Sequence, residues 1–510
     1  MTKEIKRYVL LLTGIFLAAL LIRFLYFPEN VYFGFDQARD AFATKEILGG
    51  HLKIVGPPTS LPGLFHGPLY YYLYAPFYFL GGGDPGVVQA FIRVVNALGV
   101  FLVFIIAAVI FNSEVGIIAA ILYAFSFSQT QFAIYFNHPS FAVISVMIFY
   151  LGLALLIFKK NKWGLSISLV GLGLSIQFEF VLTYLIAYFF FITFIFRKRL
   201  PKFSKLLLVK NVAIFLVIIS SFIIEEIKFR NLNLHELLNQ NNQDSTYNLA
   251  DKIRGVLVSF ITDNLFSVEK LAIPIFFFLI IAGVFYASRK KVKSEILFLS
   301  LWLSGGVLVY LFDKSTTPSY FYSVGATVSI LIFAAFLLKE LSKRSAISFA
   351  LIVAIIISSN ILLITTQNPK GPLPNINVQI GMLLPDELEA IDYMYKKADG
   401  QPFAIDSLSM PFSINTTWSY LFEWYGQNKY HYLPVWGNKA ADGYPGNIKV
   451  ISSKSTLPIK RFLIIEPLRG IPNWLSAEKF QDEGYFTRVI EEVAFNKILV
   501  QFREPLDEEN

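Results

Sequence analysis

Long apolar runs dominate this 510-residue chain and limit what it can fold into. A helix needs about 20 mostly apolar residues to cross the hydrocarbon layer of a membrane. Runs of that kind predict about eleven membrane-spanning helices, at residues 8–26, 90–111, 115–132, 140–158, 164–180, 181–196, 207–224, 271–288, 295–312, 319–338 and 346–366. The fifth and sixth runs are nearly continuous and predict a tight hairpin. Only 16% of the residues are charged, against about 25% in soluble domains, so much of the surface must face lipid.

Basic residues set the predicted orientation, because cytoplasmic loops of membrane proteins are enriched in Lys and Arg. With eleven alternating spans, all the basic clusters between the runs fall on one side, at residues 3–7, 159–162, 197–210, 289–293 and 339–344. We therefore predict a multi-pass protein of the cell membrane with a cytoplasmic N-terminus and an extracytoplasmic C-terminal domain. The net charge of +8 follows from these clusters and does not indicate nucleic-acid binding.

Two domains are predicted: a transmembrane domain at 1–366, whose first outer loop is 27–89, and a soluble extracytoplasmic domain at 367–510. In the soluble part the pattern predicts helices at 386–397 and 413–425, strands at 403–406 and 462–466, and a further strand within 489–502. Strands that alternate with helices are typical of a small α/β domain. The predicted fold class is therefore mainly α, a polytopic helical bundle with a C-terminal α/β domain. The absence of cysteine excludes disulfides, thiolate metal sites and cysteine nucleophiles.

Charged residues in the first outer loop suggest chemistry. Asp36 and Asp40 are four residues apart and share one face of a helix with Arg39. Apolar residues of the same segment have the spacing of an amphipathic helix on the membrane surface: Phe35, Ala38, Phe42 and Ile47. Glycosyl transfer needs a base for the acceptor and a cation for the departing phosphate, which arginine binds with two parallel hydrogen bonds. Such a pattern is also common on a merely solvated helix face.

The sequence Asp-Gln-Ala-Arg-Asp at 36–40, Lys-Glu-Ile-Leu at 45–48 and His-Gly-Pro-Leu-Tyr-Tyr-Tyr at 66–72 resembles the first-loop signature of the GT-C glycosyltransferases. The similarity is greatest to the family 39-like group, which includes protein O-mannosyltransferases and lipid A aminoarabinose transferases. This resemblance implies an inverting glycosyltransferase that moves a hexose or pentose from a polyprenyl-phosphate donor to a glycan, lipid or protein acceptor. It implies that Asp36 is the general base. Gln37 stands where these enzymes usually have a second carboxylate, which weakens a metal site at that position.

Polar residues at the predicted outer ends of other spans are candidates for binding the donor and its phosphate: His66, Asn137, His138, Gln177, Glu179, Lys314 and Tyr320. Asn137 and His138 also fit a plain turn before a proline. Lys314 is an exception to the rule that short outer loops avoid lysine. His66 and Glu179 supply at most two metal ligands, short of a zinc set. No cofactor is therefore predicted, although a divalent metal is left open.

Other functions are compatible with a polytopic chain. A flippase or transporter of lipid-linked sugars is the main alternative, but the spans show no matching pair of broken helices in two halves. A structural subunit and an oligosaccharide transferase are further alternatives. The predicted partners are the polyprenyl-phosphate sugar donor, membrane lipids and the acceptor, without nucleic acid.

Overall fold

The computed structural model describes residues 3–59, 63–229, 248–289, 292–311, 320–373, 379–439 and 442–506. The helices of the membrane part are α1 Lys3–Phe24, α2 Phe35–Leu48, α3 Leu69–Leu80, α4 Pro85–Ile110, α5 Ser113–Phe125, α6 Phe127–Ile134, α7 Pro139–Lys159, α8 Trp163–Phe178, α9 Tyr184–Ile195, α10 Lys205–Ile218, α11 Ser220–Lys228, α12 Leu249–Thr262, α13 Glu269–Arg289, α14 Lys293–Leu308, α15 Thr327–Ser342 and α16 Ala346–Gln367. The prediction of a polytopic helical bundle is confirmed.

Every predicted span overlaps a helix or a bent pair of helices in the described residues. By length and composition, six helices within the described ranges are able to cross a membrane, or up to eight if each bent pair is one span. The bent pairs are α5 with α6, at 54°, and α10 with α11, at 60°. The total of eleven spans stays a prediction, because helices such as α8 and α15 are only 16 residues long.

The bend between α5 and α6 places a run of buried polar residues beside the start of the C-terminal part. The side chain of Ser126 caps α6 by accepting a hydrogen bond from the backbone N–H of Gln129. Gln131 donates from Nε2 to Oδ1 of Asn368 (2.8 Å) and accepts from the backbone N–H of Leu373 (2.9 Å). These bonds satisfy buried polar groups that would otherwise be costly. They also fix the chain where it leaves the membrane part after α16.

Two buried arginines join the helices that flank the first outer loop. Arg23 of α1 donates from Nε to Oδ1 of Asn96 (2.7 Å), and Arg93 of α4 donates from Nη1 to the backbone carbonyl of Arg23 (2.7 Å). Arg93 also donates to Oδ1 of Asn30, at 2.7 Å. Both guanidinium groups are thus bound by amide and carbonyl oxygens. These bonds hold α1 and α4 together at the two ends of the segment that connects them.

The C-terminal part is built on a five-stranded sheet. Its strands are β1 Phe403–Leu408, β2 Val435–Trp436, β3 Lys460–Ile465, β4 Thr487–Phe495 and β5 Ile498–Pro505, in the order β2-β1-β3-β5-β4. The first three strands are parallel, and β5 runs antiparallel to both β3 and β4. The helices of this part are α17 Leu384–Ala398, α18 Thr416–Leu421, α19 Gln427–Tyr430 and α20 Asn473–Phe486. The prediction of a small α/β domain is confirmed.

The C-terminal domain is attached directly to the segment between α1 and α2. The backbone N–H of Phe33 donates to the carbonyl of Met382 (3.0 Å), and that of Leu384 donates to Val31 (2.8 Å). Helix α2 packs between α3 and α18, and the ring of Phe42 contacts that of Tyr420, with centroids 5.4 Å apart. The predicted apolar face of α2 is therefore covered by protein. The position of this helix depends on both domains.

Candidate active site

Helix α2 brings its three charged residues into one ion-paired group. Arg39 donates from Nη1 to Oδ1 of Asp36 (2.7 Å) and from Nε to Oδ1 of Asp40 (2.9 Å). Asp40 is buried, whereas the side chain of Asp36 is 50% exposed. Asp36 also lies in the first turn of α2, where the helix dipole stabilises a carboxylate. The group thus has an inner carboxylate that holds the cation and an outer carboxylate that can reach another molecule.

Gln37 connects this helix to the loop that precedes α7. Its Oε1 accepts from the backbone N–H of Gly34 (3.1 Å), and its Nε2 donates to the carbonyl of Phe136 (2.7 Å). An ionised carboxylate accepts hydrogen bonds but cannot donate one. The amide is therefore needed to make both hydrogen bonds. It stands at a position where the resemblance implied a second acidic residue.

The surroundings of Asp40 have opposing effects on the pKa of its carboxyl group. Burial raises the pKa of the Asp40 carboxyl to about 6, although the positive charge of Arg39 acts to lower it. The hydroxyl of Tyr71 donates to Oδ1 of Asp40 at 3.4 Å. Asp40 therefore changes charge near neutral pH, while it is bound to the same guanidinium as Asp36.

We expect the activity of the protein to fall as the pH drops through about 6. Protonation of Asp40 removes one of the two carboxylates that hold Arg39, and its ionised fraction falls from about 0.9 at pH 7 to about 0.1 at pH 5. The specificity constant kcat/KM should therefore decrease about 10-fold over this range.

The pH profile of Asp40→Asn checks this expectation, because the variant should lose the inflection near pH 6. An unchanged profile in the variant would contradict it.

Stability should change in the opposite sense. The raised pKa makes ionisation of Asp40 unfavourable in the folded state, so the stability present below about pH 4 is lost as the pH rises through about 6.

A second polar group consists of His66, His138 and Glu179, all buried. Nδ1 of His66 lies 3.7 Å from Oε1 of Glu179, and Nδ1 of His138 lies 3.6 Å from Oε2. The two imidazole rings are 4.0 Å apart. Burial, and after it the charge of Arg39, lowers the pKa of His66 to about 3. Burial, with the neighbouring His66 as the next cause, lowers the pKa of His138 well below its usual value.

Backbone contacts hold the two histidines in place. Nδ1 of His138 donates to the carbonyl of Phe178 (2.5 Å), and Nδ1 of His66 accepts from the backbone N–H of Phe180 (3.1 Å). The loop around residue 66 is further joined to α8, because the N–H of Gly67 donates to the carbonyl of Gln177 (2.9 Å). Three separate chain segments therefore converge at the C-terminal end of α8.

Gly67 is required by this close approach. A methyl group on its Cα would lie 1.9 Å from Oε1 of Gln177 and 2.9 Å from its backbone Cα. We expect Gly67→Ala to lower the free energy of unfolding by about 1–3 kcal/mol, because the overpacked loop must shift. Thermal melting in detergent measures the loss. Gly484→Ala, at a helical site where the added methyl group meets nothing within 4 Å, is the control and should not lower the melting temperature. Equal melting temperatures for wild type and Gly67→Ala would contradict the expectation.

Four further residues were predicted to bind the donor or its phosphate: Asn137, Gln177, Lys314 and Tyr320. Asn137 is buried and bonds within its own turn, to the hydroxyl of Tyr135 and to the N–H of His138. Gln177 donates from Nε2 to the carbonyl of Ile218 (2.7 Å), so it joins α8 to α10. Lys314 lies outside the described residues, and Tyr320 begins a 3-10 turn, Tyr320–Ser323. The roles predicted for these four residues in donor binding stay predictions.

The grouping of His66, His138 and Glu179 was not predicted, since the sequence indicated two potential metal ligands and not three. The three residues are 72 and 41 positions apart (138 − 66 and 179 − 138), and no local spacing connects them. Tyr70 and Tyr71 were also not predicted as neighbours of Asp40. The one available signal was that Tyr70 and Tyr71 lie in the same predicted loop as Asp40, in a stretch with helical periodicity.

Comparison with known proteins agrees with this architecture. Residues 65–224 match the family described as dolichyl-phosphate-mannose-protein mannosyltransferase. The structure of ArnT from Cupriavidus metallidurans bound to undecaprenyl phosphate superposes with a TM-score of 0.62 at 12% identity, covering 97% of this chain and 98% of that one. The oligosaccharyltransferase AglB from Archaeoglobus fulgidus, in complex with an inhibitory peptide and a dolichol-phosphate, gives 0.48 at 15% identity, covering 91% and 70%. Mycobacterial arabinofuranosyltransferase AftD gives 0.45 at 14%, covering 77% and 29%. Curated protein sequences gave no significant match.

The likeness to ArnT over nearly the whole of both chains shows a shared fold, that of a polytopic membrane protein. The family match covers residues 65–224, about a third of the chain, and begins between α2 and α3.

Proposed function

We propose that the chain transfers one sugar from a polyprenyl-phosphate donor to an acceptor on the outer face of the membrane, with inversion at the anomeric carbon. Asp36 takes the proton of the acceptor hydroxyl, and Arg39 binds the phosphate that departs with the lipid. The observation that carries the proposal is the ion-paired group on α2, in which a half-exposed carboxylate and a guanidinium are 2.7 Å apart.

The charges of this group suit the reaction. A general base must be able to reach the acceptor, and the half-exposed carboxylate of Asp36 in the first turn of α2, where the helix dipole favours negative charge, suits that role. A cation that is already oriented stabilises the charge on the departing phosphate without further reorganisation. Asp40 supplies that orientation from the buried side, since it binds the same guanidinium through Nε.

The location of the reaction follows from the predicted topology. The segments before α2, after α6, after α8 and after α16 are predicted to lie at the outer ends of spans, and they contact one another around the same region. The outer domain covers α2 from the other side through Tyr420 and Glu423. This domain is therefore placed to present the acceptor, whether glycan, lipid or protein.

The experiment that tests this function uses the purified full-length protein in detergent with a panel of polyprenyl-phosphate sugars. Release of polyprenyl phosphate is followed by chromatography with and without candidate acceptors, and the anomeric configuration of the product is determined by NMR. Acceptor-dependent release with inversion is the expected result. The contradicting result is that no donor is cleaved and that an intact lipid-linked sugar crosses the membrane of proteoliposomes. That result would support a flippase and refute the transferase.

A further inference from the structure

We propose that the C-terminal domain binds a small oxyanion group, a phosphate or a carboxylate, in a pocket between its sheet and α20. The pocket holds about 240 Å³ of empty space, including its open mouth. Its charged lining residues come from β1, the segment before β3, β3, α20 and β5: Asp406, Lys454, Arg461, Glu483 and Arg503. None of these residues belongs to the ion-paired group on α2, so the proposal does not rest on the proposed function.

Strand register places two arginines side by side on the pocket face of the sheet. Arg461 of β3 and Arg503 of β5 are direct partners in the antiparallel ladder. Like charges at opposed positions destabilise a sheet. Arg503 is buried and Arg461 is partly buried, so water and salt screen their repulsion less than on an open surface. The bonded path from Arg503 to the exposed Glu492 passes through Gln501. The arginine pair is therefore a reason to expect a bound anion.

The two carboxylates of the pocket are already paired with lysines. Lys479 of α20 donates to Oδ2 of Asp406, and Lys454 donates to Oε1 of Glu483 at 2.7 Å. These four charges cancel when all are ionised. With the two arginines, the group has four cations and two carboxylates, which leaves a charge of +2 (4 − 2). A dianion, or a monoanion with one further negative group, would balance it.

Neither arginine forms an ion pair with a carboxylate within the part of the chain that the structure describes. Arg461 donates from Nε to the carbonyl of Pro458 (3.0 Å) and from Nη2 to that of Lys454 (2.9 Å). Arg503 donates only to oxygens of neutral groups. Burial lowers the pKa of both guanidinium groups, and the opposing charge of Glu483 does not cancel this effect. The positive charge at this place is therefore held by neutral partners alone.

The free side of Arg461 indicates the class of ligand. Among the described residues its Nη1 has no hydrogen-bond partner. A guanidinium offers its N–H groups in a planar fork that fits two oxygens of a phosphate or carboxylate. The side chain of Lys454 is 25% exposed, so its ammonium group can donate to the same anion and keep its bond to Glu483. A metal cation is disfavoured by the excess of positive charge.

The first test titrates the full-length protein in detergent with inorganic phosphate and, separately, with glucuronate. No donor is present, and sodium chloride keeps the ionic strength constant. Calorimetry should show that at least one of the two anions binds at one site per chain, whereas neutral glucose should not bind. The anion that binds more tightly identifies the group as phosphate or carboxylate. Binding of neither anion to the wild type would overturn the proposal without any use of variants.

The second test locates the bound anion. Arg461→Gln should weaken its affinity about 10-fold or more, because charge-assisted bonds are lost, and glutamine can still donate to one of the two carbonyls. Lys454→Gln is a second variant at a more exposed position and should weaken it several-fold. Arg488→Gln makes the same change as the first variant at an exposed site on β4, and the affinity should stay within about 2-fold of the wild type.

Melting curves recorded beside each titration identify variants that fail to fold. Wild-type affinity in a folded Arg461→Gln or Lys454→Gln variant would overturn the site. Loss of binding in Arg39→Met, with binding kept in Arg461→Gln, would place the anion at the group on α2 and also overturn it. Anion binding that depends on Arg461, in a protein without transferase activity, would support the pocket and refute the proposed function alone.

Discussion

Asp36→Asn is expected to lower kcat for release of polyprenyl phosphate by a factor of about 10² or more, with little change in the affinity for the donor. Positioned general bases contribute about 10²–10⁴ to a rate. Asparagine has almost the same size as aspartate, and it can still accept a hydrogen bond from Arg39 at the position of Oδ1. The substitution therefore removes the proton acceptor and leaves the helix and its guanidinium largely in place.

The matched control is Asp482→Asn, which makes the same chemical change at an exposed position on α20. Its kcat should stay within about 2-fold of the wild type. Donor affinity is measured separately, with a fluorescent polyprenyl phosphate, so that loss of binding is distinguished from loss of catalysis. A variant Asp36→Asn that binds the lipid and turns over at the wild-type rate would remove Asp36 from the mechanism.

The second large effect is expected at Arg39. Arg39→Met should reduce kcat/KM by about 10²–10³, because removing one preorganised group that stabilises developing charge costs a factor of this size. Arg39→Lys should recover part of the loss, since lysine keeps the charge but cannot bind phosphate with two parallel bonds. Steady-state kinetics of the two variants at saturating acceptor measures the difference.

Arg39→Met should also reduce stability, because it leaves the buried carboxyl of Asp40 without its cation. The double variant Arg39→Met with Asp40→Asn separates the two effects. It should recover much of the melting temperature that the single variant loses, without recovering activity. Recovery of both properties in the double variant would show that Arg39 supports only the fold, which contradicts a role in binding phosphate.

The helices of the membrane part were predictable because one physical requirement dominates them. Each run of about 20 apolar residues must form a helix to satisfy its backbone in lipid, and each predicted span contains a helix in the structure. The bends between α5 and α6 and between α10 and α11 were not predicted. The first depends on contacts distant in sequence, such as the bond between Gln131 and Asn368.

The candidate site was predictable only where it is local. Asp36, Arg39 and Asp40 share one turn of a helix, so their spacing indicated that they would meet. The contact of α2 with the C-terminal domain was not indicated, because it depends on how Tyr420 packs against Phe42 across 378 positions (420 − 42). The cluster of His66, His138 and Glu179 was missed for the same reason, since three loops from different spans must converge to form it.

The most direct measurement uses proteoliposomes in which the C-terminal domain faces outward and the polyprenyl-phosphate sugar and acceptor are supplied from outside. The glycosyl–phosphate bond should be cleaved with acceptor present, and the rate should fall by about 10² or more in Asp36→Asn. Cleavage that persists unchanged in this variant, or that requires the donor on the opposite side of the membrane, would contradict the account.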